Sequence, residues 1–282
     1  MTTARQPGPI LDCNGRTLDL SVPRVMGILN VTPDSFSDGG RFFSLPAAID
    51  HAAKMIEEGA AILDIGGAST RPGSTEPSLQ EELDRVVPVV EALAARFPVP
   101  LSVDTYRPEV MREAVAAGAG LINDIYALTR PGALATAAEL GVPVCLMHMQ
   151  GTPRTMQDNP QYDDVVAEVR DFLRARAQAC EAAGIPRAAI LLDPGFGFGK
   201  TLEHNCRLLR ELRAIEALGY LLLIGVSRKS MIGAILNKPV EQRLYGSLAA
   251  AVVAVREGAR IVRVHDVRPT VDAIAVAHAI GR

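Results

Sequence analysis

Asp193 stands where an apolar run stops. The stretch Ala189-Ile-Leu-Leu-Asp-Pro-Gly-Phe-Gly-Phe-Gly-Lys200 opens with Ala189 to Leu192, then meets Pro194 and Gly195. Such a run fits a strand buried on both faces, and proline and glycine end it because one lacks a ladder donor and the other lets the chain turn. A carboxylate held at the carboxyl end of a buried strand can accept two parallel N–H bonds from an amidine-like edge. The bland alternative is that Asp193 caps the next helix. Two nucleotide-binding readings fail on spacing. Gly199-Lys200-Thr201 lacks the earlier P-loop glycine, where Pro194 stands, and Gly195, Gly197 and Gly199 do not follow G-x-G-x-x-G.

Other apolar runs end in the same way, at Asn30, Gly66-Gly67, Asp104, Asn123-Asp124, His148, Ser227-Arg228-Lys229 and His265-Asp266, with Arg263 last but one in its run. Asp104, Asn123, Asp193 and Lys229 offer the acceptors and donors that read a flat, hydrogen-bonding ring. Each charge-assisted buried bond of this kind contributes roughly 1.5–3 kcal/mol. Asn30, Arg263 and His265 suit an anion: arginine grips phosphate oxygens in a fork, and the Asn30 carbonyl oxygen can ligate Mg²⁺. The sequence offers no carboxylate cluster to cage that metal, so substrate phosphates and water would complete its shell. Ser230 opens the helix-like Ser230–Leu236, where its hydroxyl and the free N–H groups would hold a carboxylate or simply cap the helix. Two long loops, Val31–Gly40 and Ala68–Thr75, carry Phe36 and Arg71 and have the composition of lids that exclude water.

The elements that must position these residues repeat. Strand-like runs at Val25–Leu29, Ala61–Ile65, Val99–Val103, Leu121–Ile122, Val142–Met147, Ala189–Leu192, Tyr220–Val226 and Arg260–Val264 alternate with helical stretches near Pro46–Glu58, Leu79–Phe97, Pro108–Ala117, Gly132–Leu140, Asp163–Ala183, Leu202–Leu218, Val240–Glu257 and Val267–Ile280. Glycine closes several helices, as expected at a helix C-terminus. Eight strand–helix units predict an α/β fold, a (β/α)8 TIM barrel, with a doubly wound open sheet as the alternative. In a barrel all the polar strand ends share one rim, where barrel enzymes do their chemistry. Ile10–Leu20 predicts a hairpin turning at Asn14-Gly15 and covering one end of the barrel. The organisation expected is therefore an N-terminal extension and hairpin over 1–23 and a single barrel domain over 24–282.

With 282 residues and 48% hydrophobic content the chain can bury one large core, and a net charge of −3 gives no reason to expect nucleic acid or an anionic membrane. No apolar run approaches the ~20 residues that span a bilayer. The N-terminus lacks an apolar signal core, and Cys13, Cys145, Cys180 and Cys206 show no metal-binding spacing. The expectation is a reduced, cytoplasmic setting.

Met26-Gly-Ile-Leu-Asn-Val-Thr-Pro-Asp-Ser-Phe-Ser-Asp-Gly-Gly40 resembles the signature of the dihydropteroate synthase family. So do Gly66-Gly-Ala-Ser-Thr-Arg-Pro-Gly73, Ser102-Val-Asp-Thr105, Ile122-Asn-Asp124, Leu192–Lys200, Ser227-Arg-Lys-Ser-Met231 and Arg263-Val-His-Asp266, in order and from about Val25 to the C-terminus. The resemblance implies a barrel enzyme that joins 6-hydroxymethyl-7,8-dihydropterin diphosphate to 4-aminobenzoate in folate synthesis, the step sulfonamides target. It assigns the pterin to Asp104, Asn123, Asp193 and Lys229, with Met147, Gly225 and Phe198 beside it. The diphosphate falls to Asn30, Thr70, Arg263 and His265, with Mg²⁺ at Asn30. The 4-aminobenzoate falls to Phe36, Pro72, Phe198, Lys229 and Ser230. Catalytic roles go to Asp104, Lys229, Asp38 and Arg71, and a homodimer is implied. A methyltransferase acting on methyl-tetrahydrofolate explains the ring-reading residues equally well but leaves Arg263, His265 and the first loop without a task. A Schiff-base aldolase at Lys229 and a pterin-binding paralogue without turnover are further rivals.

Overall fold

The computed structural model describes residues 8–32, 44–68 and 76–281. The chain opens with strands β1 (Ile10–Cys13) and β2 (Arg16–Asp19), paired antiparallel across Asn14 and Gly15. Both turn residues have positive φ, 57° and 78°, the conformation whose twist matches a two-residue hairpin. Eight parallel strands then close on themselves: β3 (Arg24–Asn30), β4 (Ile62–Gly66), β5 (Leu101–Asp104), β6 (Leu121–Asp124), β7 (Val144–Met147), β8 (Ile190–Asp193), β9 (Leu221–Ile224) and β10 (Ile261–Val264), with β10 pairing back to β3. This is the expected TIM barrel, and the open sheet is excluded.

The outer layer comprises α1 (Leu45–Glu57), α2 (Leu79–Arg96), α3 (Pro108–Ala116), α4 (Ala133–Leu140), α5 (Val165–Ala182), α6 (Leu202–Arg210), α7 (Arg213–Glu216), α8 (Ser230–Leu236), α9 (Leu244–Arg256) and α10 (Val267–Ile280). Two sequence expectations change. The helix read across Leu202–Leu218 divides at Glu211, whose backbone leaves the helical region at φ −105°, ψ 22°; the bend delivers Leu212 and Ile215 to the core. The helix read from Val240 begins as a 3₁₀ turn, Val240–Gln242, before α9. Arg243, between them, sends its guanidinium back to the Lys238 and Arg228 carbonyls.

Side chains alternate across each strand, which sorts the barrel into two cores. Outward residues such as Leu29, Leu63, Val103 and Ile122 pack under the helices. Inward residues at the strand beginnings, Met26, Ile62, Leu121, Cys145, Leu191, Leu223 and Ile261, form a separate cluster with Leu11, Cys13, Leu18 and Leu20 of the hairpin. The hairpin thus covers the amino-terminal end of the strands. Arg16 fastens it by donating to the carbonyls of Phe97 (2.8 Å), Val99 (2.7 Å) and Ala94 (2.5 Å) at the end of α2, where helix carbonyls lack intrahelical partners. Gly120, just before β6, leaves no room for a side chain: a Cβ there would stand 2.2 Å from the Cys13 carbonyl oxygen.

Candidate active site

At the opposite end the same inward parity carries polar groups. Register aligns Asn30 with Gly66, Gly66 with Asp104, and Asp104 with Asn123 across four adjacent strands. Met147 aligns with Asp193 on the far side. Most of these residues are the last of their strands rather than the first beyond them, a shift of one position from the sequence reading that leaves the rim unchanged.

Arg263 ties this rim together. Its Nη2 donates to Asp104 Oδ2 at 2.8 Å and its Nε to Asp64 Oδ2 at 2.5 Å, and Asn123 Nδ2 reaches the same Asp64 oxygen at 3.1 Å. Burial works against the Arg263 charge, but Asp64 and Asp104 outweigh it and hold the guanidinium firmly protonated. Burial also pushes the Asp104 carboxyl up to about 7, with Arg263 opposing and Asp64 adding to the rise. Asp193 is pushed up to about 6 by burial, against the Gly195 N–H that its Oδ1 accepts at 2.8 Å and the charge of Lys229. Lys229 is brought down to about 8 by burial, opposed by Asp193. Acids raised and a lysine lowered in one concave interior mark a site poised to exchange charge with a ligand.

Apolar groups wall the site. Met147, Phe198, Ile125 and Met156 form a small buried cluster, and Lys229 Nζ lies 4.2 Å over the Phe198 ring, within cation–π range. A Cβ built on Gly225 would meet nothing within 4 Å, so this glycine borders open space. Together these residues shape a slot with hydrogen-bonding edges and greasy faces.

The loop bearing Phe198 is pinned by side chains. Lys200, only 3% exposed, donates to the carbonyls of Gly195 (3.0 Å) and Phe198 (3.1 Å), and its Nζ is 2.9 Å from His148 Nδ1. Gln157 holds the Gly197 carbonyl, Tyr162 the Gly199 carbonyl and Asn205 the Gly197 N–H, each at 2.8 Å. Gly195 must be glycine: its φ is +71°, and a Cβ would lie 1.9 Å from the His148 carbonyl oxygen.

Several strand-end residues turn out to be structural. His148 points outward, packing edge-on to Phe172 with ring centroids 5.0 Å apart, while burial and Lys200 hold its imidazole down at about 3. Asp124 accepts the N–H groups of Tyr126 (2.7 Å) and Leu128 (3.0 Å) and shapes the next turn. Asp266 is forked by Arg228 at 2.9 and 2.5 Å. Arg228 itself has φ +57°, a costly conformation for a residue with a side chain. It is held there by Ser247, which accepts its N–H, and Arg243, which donates to its carbonyl, and so Ser227 and Lys229 are fixed on either side. Ser230 is exposed at the first position of α8, and Lys229 takes the cap position without a side-chain capping bond. The plain capping role for Ser230 is thereby excluded.

Asp64 was not singled out by the sequence reading, and Ser227 was named there as a strand end without a role of its own. Asp64 lay hidden in the run Ala61–Ile65, although it shares inward parity with Ile62 and Gly66. Phe36, Asp38, Thr70, Arg71 and Pro72 lie outside the described residues.

A closed parallel barrel with charged and polar side chains converging at the carboxyl ends of its strands defines a TIM-barrel enzyme. The sequence profile of the family described as pterin binding enzyme matches residues 26–265. The chain is 58% identical over 269 residues to the dihydropteroate synthase of Escherichia coli strain K12, covering 95% of each. A Xanthomonas albilineans dihydropteroate synthase solved with 4-aminobenzoic acid superposes with a TM-score of 0.92 at 55% identity, over 97% of this chain and 98% of that one. A Yersinia pestis dihydropteroate synthase in a sulfonamide drug complex superposes with a TM-score of 0.92 at 56% identity, over 96% and 98%. The chain belongs to the pterin-binding enzyme family, among its dihydropteroate synthases.

Proposed function

We propose that this chain condenses 6-hydroxymethyl-7,8-dihydropterin diphosphate with 4-aminobenzoate, giving 7,8-dihydropteroate and diphosphate. The observation that carries the reading is the convergence of Asp104, Asn123, Asp193 and Lys229 on one slot walled by Met147 and Phe198, with Arg263 bonded into its floor. The pterin ring lies in that slot, its N–H edges on the carboxylates. The diphosphate lies toward Asn30, Thr70, Arg263 and His265. The 4-aminobenzoate stacks near Phe198 with Phe36 and Pro72, its amine beside Lys229 and its carboxylate toward Ser230. Asp38 and Arg71 act from the two loops. A methyltransferase would leave the Arg263 and His265 side of the rim without an anion to meet.

Among the described residues no three His, Cys, Asp or Glu side chains are placed to hold a metal ion. Asn30 Oδ1 does face the rim, 3.8 Å from where a Gly66 Cβ would stand, and Asp104 Oδ2 is 3.6 Å from the same point. One neutral oxygen donor fits Mg²⁺, which keeps most of its water and takes the rest of its ligands from phosphate. When bound, Mg²⁺ neutralises charge on the departing diphosphate.

Among the described residues the carboxylates facing the slot are already engaged, Asp104 by Arg263 and Asp193 by the Gly195 N–H, and a neutral arylamine needs no general base. Loss of diphosphate before amine attack therefore fits best. The resulting cation on the methylene delocalises into the ring, where ionised Asp104 stabilises it through a ring N–H, and exclusion of water protects it until the amine arrives. Positional isotope exchange within the diphosphate, measured without 4-aminobenzoate, tests the order; no exchange from a diphosphate free to rotate would mean concerted displacement. Diphosphate release measured with and without 4-aminobenzoate tests the overall reaction, and release independent of the arylamine would contradict it.

A homodimer is supported by the apolar side chains left exposed on α8 to α10, among them Ile235, Tyr245, Val253, Val276 and Ile280. A monomer by sedimentation equilibrium would end that reading. A cytoplasmic setting is supported by the unpaired cysteines Cys13, Cys145, Cys180 and Cys206. No helix among the described residues is long and apolar enough to cross a membrane.

A further inference from the structure

Ser227 and His265 follow neighbouring strands, β9 and β10, and are joined twice. Ser227 Oγ accepts the backbone N–H of His265 at 3.2 Å and stands 3.0 Å from His265 Nδ1. The serine is buried, 6% exposed, so its single hydroxyl proton needs an acceptor inside the protein. Were Nδ1 protonated, Oγ would receive two donors, and its own O–H would find no acceptor among the described residues. With Nδ1 bare, the O–H donates to it and every group is satisfied. The surrounding charges agree. Burial, with the nearby charges of Arg263, Arg228 and Lys229 and against that of Asp266, holds His265 down at about 4. The ring is therefore neutral at pH 7, and one nitrogen alone carries a proton.

We propose that Ser227 is a positioning residue that fixes His265 as the Nε2–H tautomer, so that His265 meets the diphosphate as a neutral hydrogen-bond donor rather than as a cation. The inference rests on the reading of His265 as a diphosphate contact. Without the Ser227 hydroxyl the Nδ1–H tautomer becomes accessible, and that form turns the Nε2 lone pair toward the anion and repels it. The role is electronic, and a purely structural serine would not show it.

Long-range ¹H–¹⁵N spectra of the full chain at neutral pH read the tautomer directly, with the His265 signals assigned by their loss in His265→Gln. The expected result is an unprotonated Nδ1 in the parent protein, a shift toward Nδ1–H in Ser227→Ala, and restoration in Ser227→Thr. Affinity for inorganic diphosphate should fall ~10-fold in Ser227→Ala, the loss of about one hydrogen bond, with affinity for the bare pterin kept. A parent spectrum with Nδ1 protonated overturns the proposal even if Ser227→Ala does not fold, and so does an unchanged tautomer in a folded Ser227→Ala. Diphosphate affinity unchanged in His265→Ala would instead overturn the diphosphate reading, and the spectrum would still decide the tautomer.

Discussion

Arg263 donates to Asp104 across 2.8 Å, joining a residue the sequence placed with the anion to one it placed with the ring. The two halves of the rim are thus one electrostatic unit. Loss of negative charge on one side of Arg263 is felt by the carboxylate on the other, which is where a developing ring cation needs compensation.

Arg263→Ala should therefore weaken diphosphate and bare pterin together, each by ~10-fold or more. It leaves Asp64 and Asp104 buried without their shared cation, which costs roughly 3–5 kcal/mol of stability. Arg263→Lys restores charge but not the two-carboxylate fork and should recover only part. Calorimetric titration with each ligand and thermal unfolding check this; a loss confined to diphosphate would separate the halves again.

Asp193→Asn should trade binding for stability. Burial disfavours the ionised carboxylate, raising it to about 6, so the unliganded protein is strained by holding that charge. The amide can still accept the Gly195 N–H but presents a donor to the ring. Pterin affinity should fall ~10- to 100-fold, about 1.5–3 kcal/mol for a charged buried bond, while the unliganded Tm rises by a few degrees. An unchanged affinity contradicts the assignment.

Pterin affinity should pass through a maximum between about pH 7 and 8. As pH falls, Asp104 near 7 and then Asp193 near 6 take up protons and lose the charge that accepts ring N–H groups. As pH rises past about 8, Lys229 loses its proton. In Asp193→Asn the weakening that Asp193 causes below about 6 should disappear and the alkaline limb remain. Calorimetry across pH 5 to 9 reads both limbs.

Lys200→Met should act on the arylamine rather than on the pterin. It removes the ammonium that holds the Gly195 and Phe198 carbonyls, leaving buried acceptors unpaired at roughly 1–3 kcal/mol each. Phe198 then loosens. The KM for 4-aminobenzoate should rise several-fold with pterin affinity little changed, alongside a clear drop in Tm. Equal losses for both substrates would show that the pinned loop serves the whole slot.

The barrel was legible because its signals are local. Buried parallel strands read as apolar runs, and helices closed by glycine read as such down to Gly141, a left-handed cap at φ 67°. The rim was legible as a set of strand ends but not in detail, because one-residue parity decides whether a polar group faces the slot. Asn123 points in and Asp124 out; His265 points in and Asp266 out. Asp64 was missed for a related reason. A lone acid inside an apolar run signals function only once its partner is known, and Arg263 lies 199 residues away.

The hairpin gives the barrel a floor, and a vessel with a floor has one door. On the proposed placement the pterin lies deeper, so an arylamine already seated over the slot would bar it from reaching the bottom. The inward side chains packed on β1 and β2 close that end, and make the sequence of arrivals a matter of plumbing as well as of affinity.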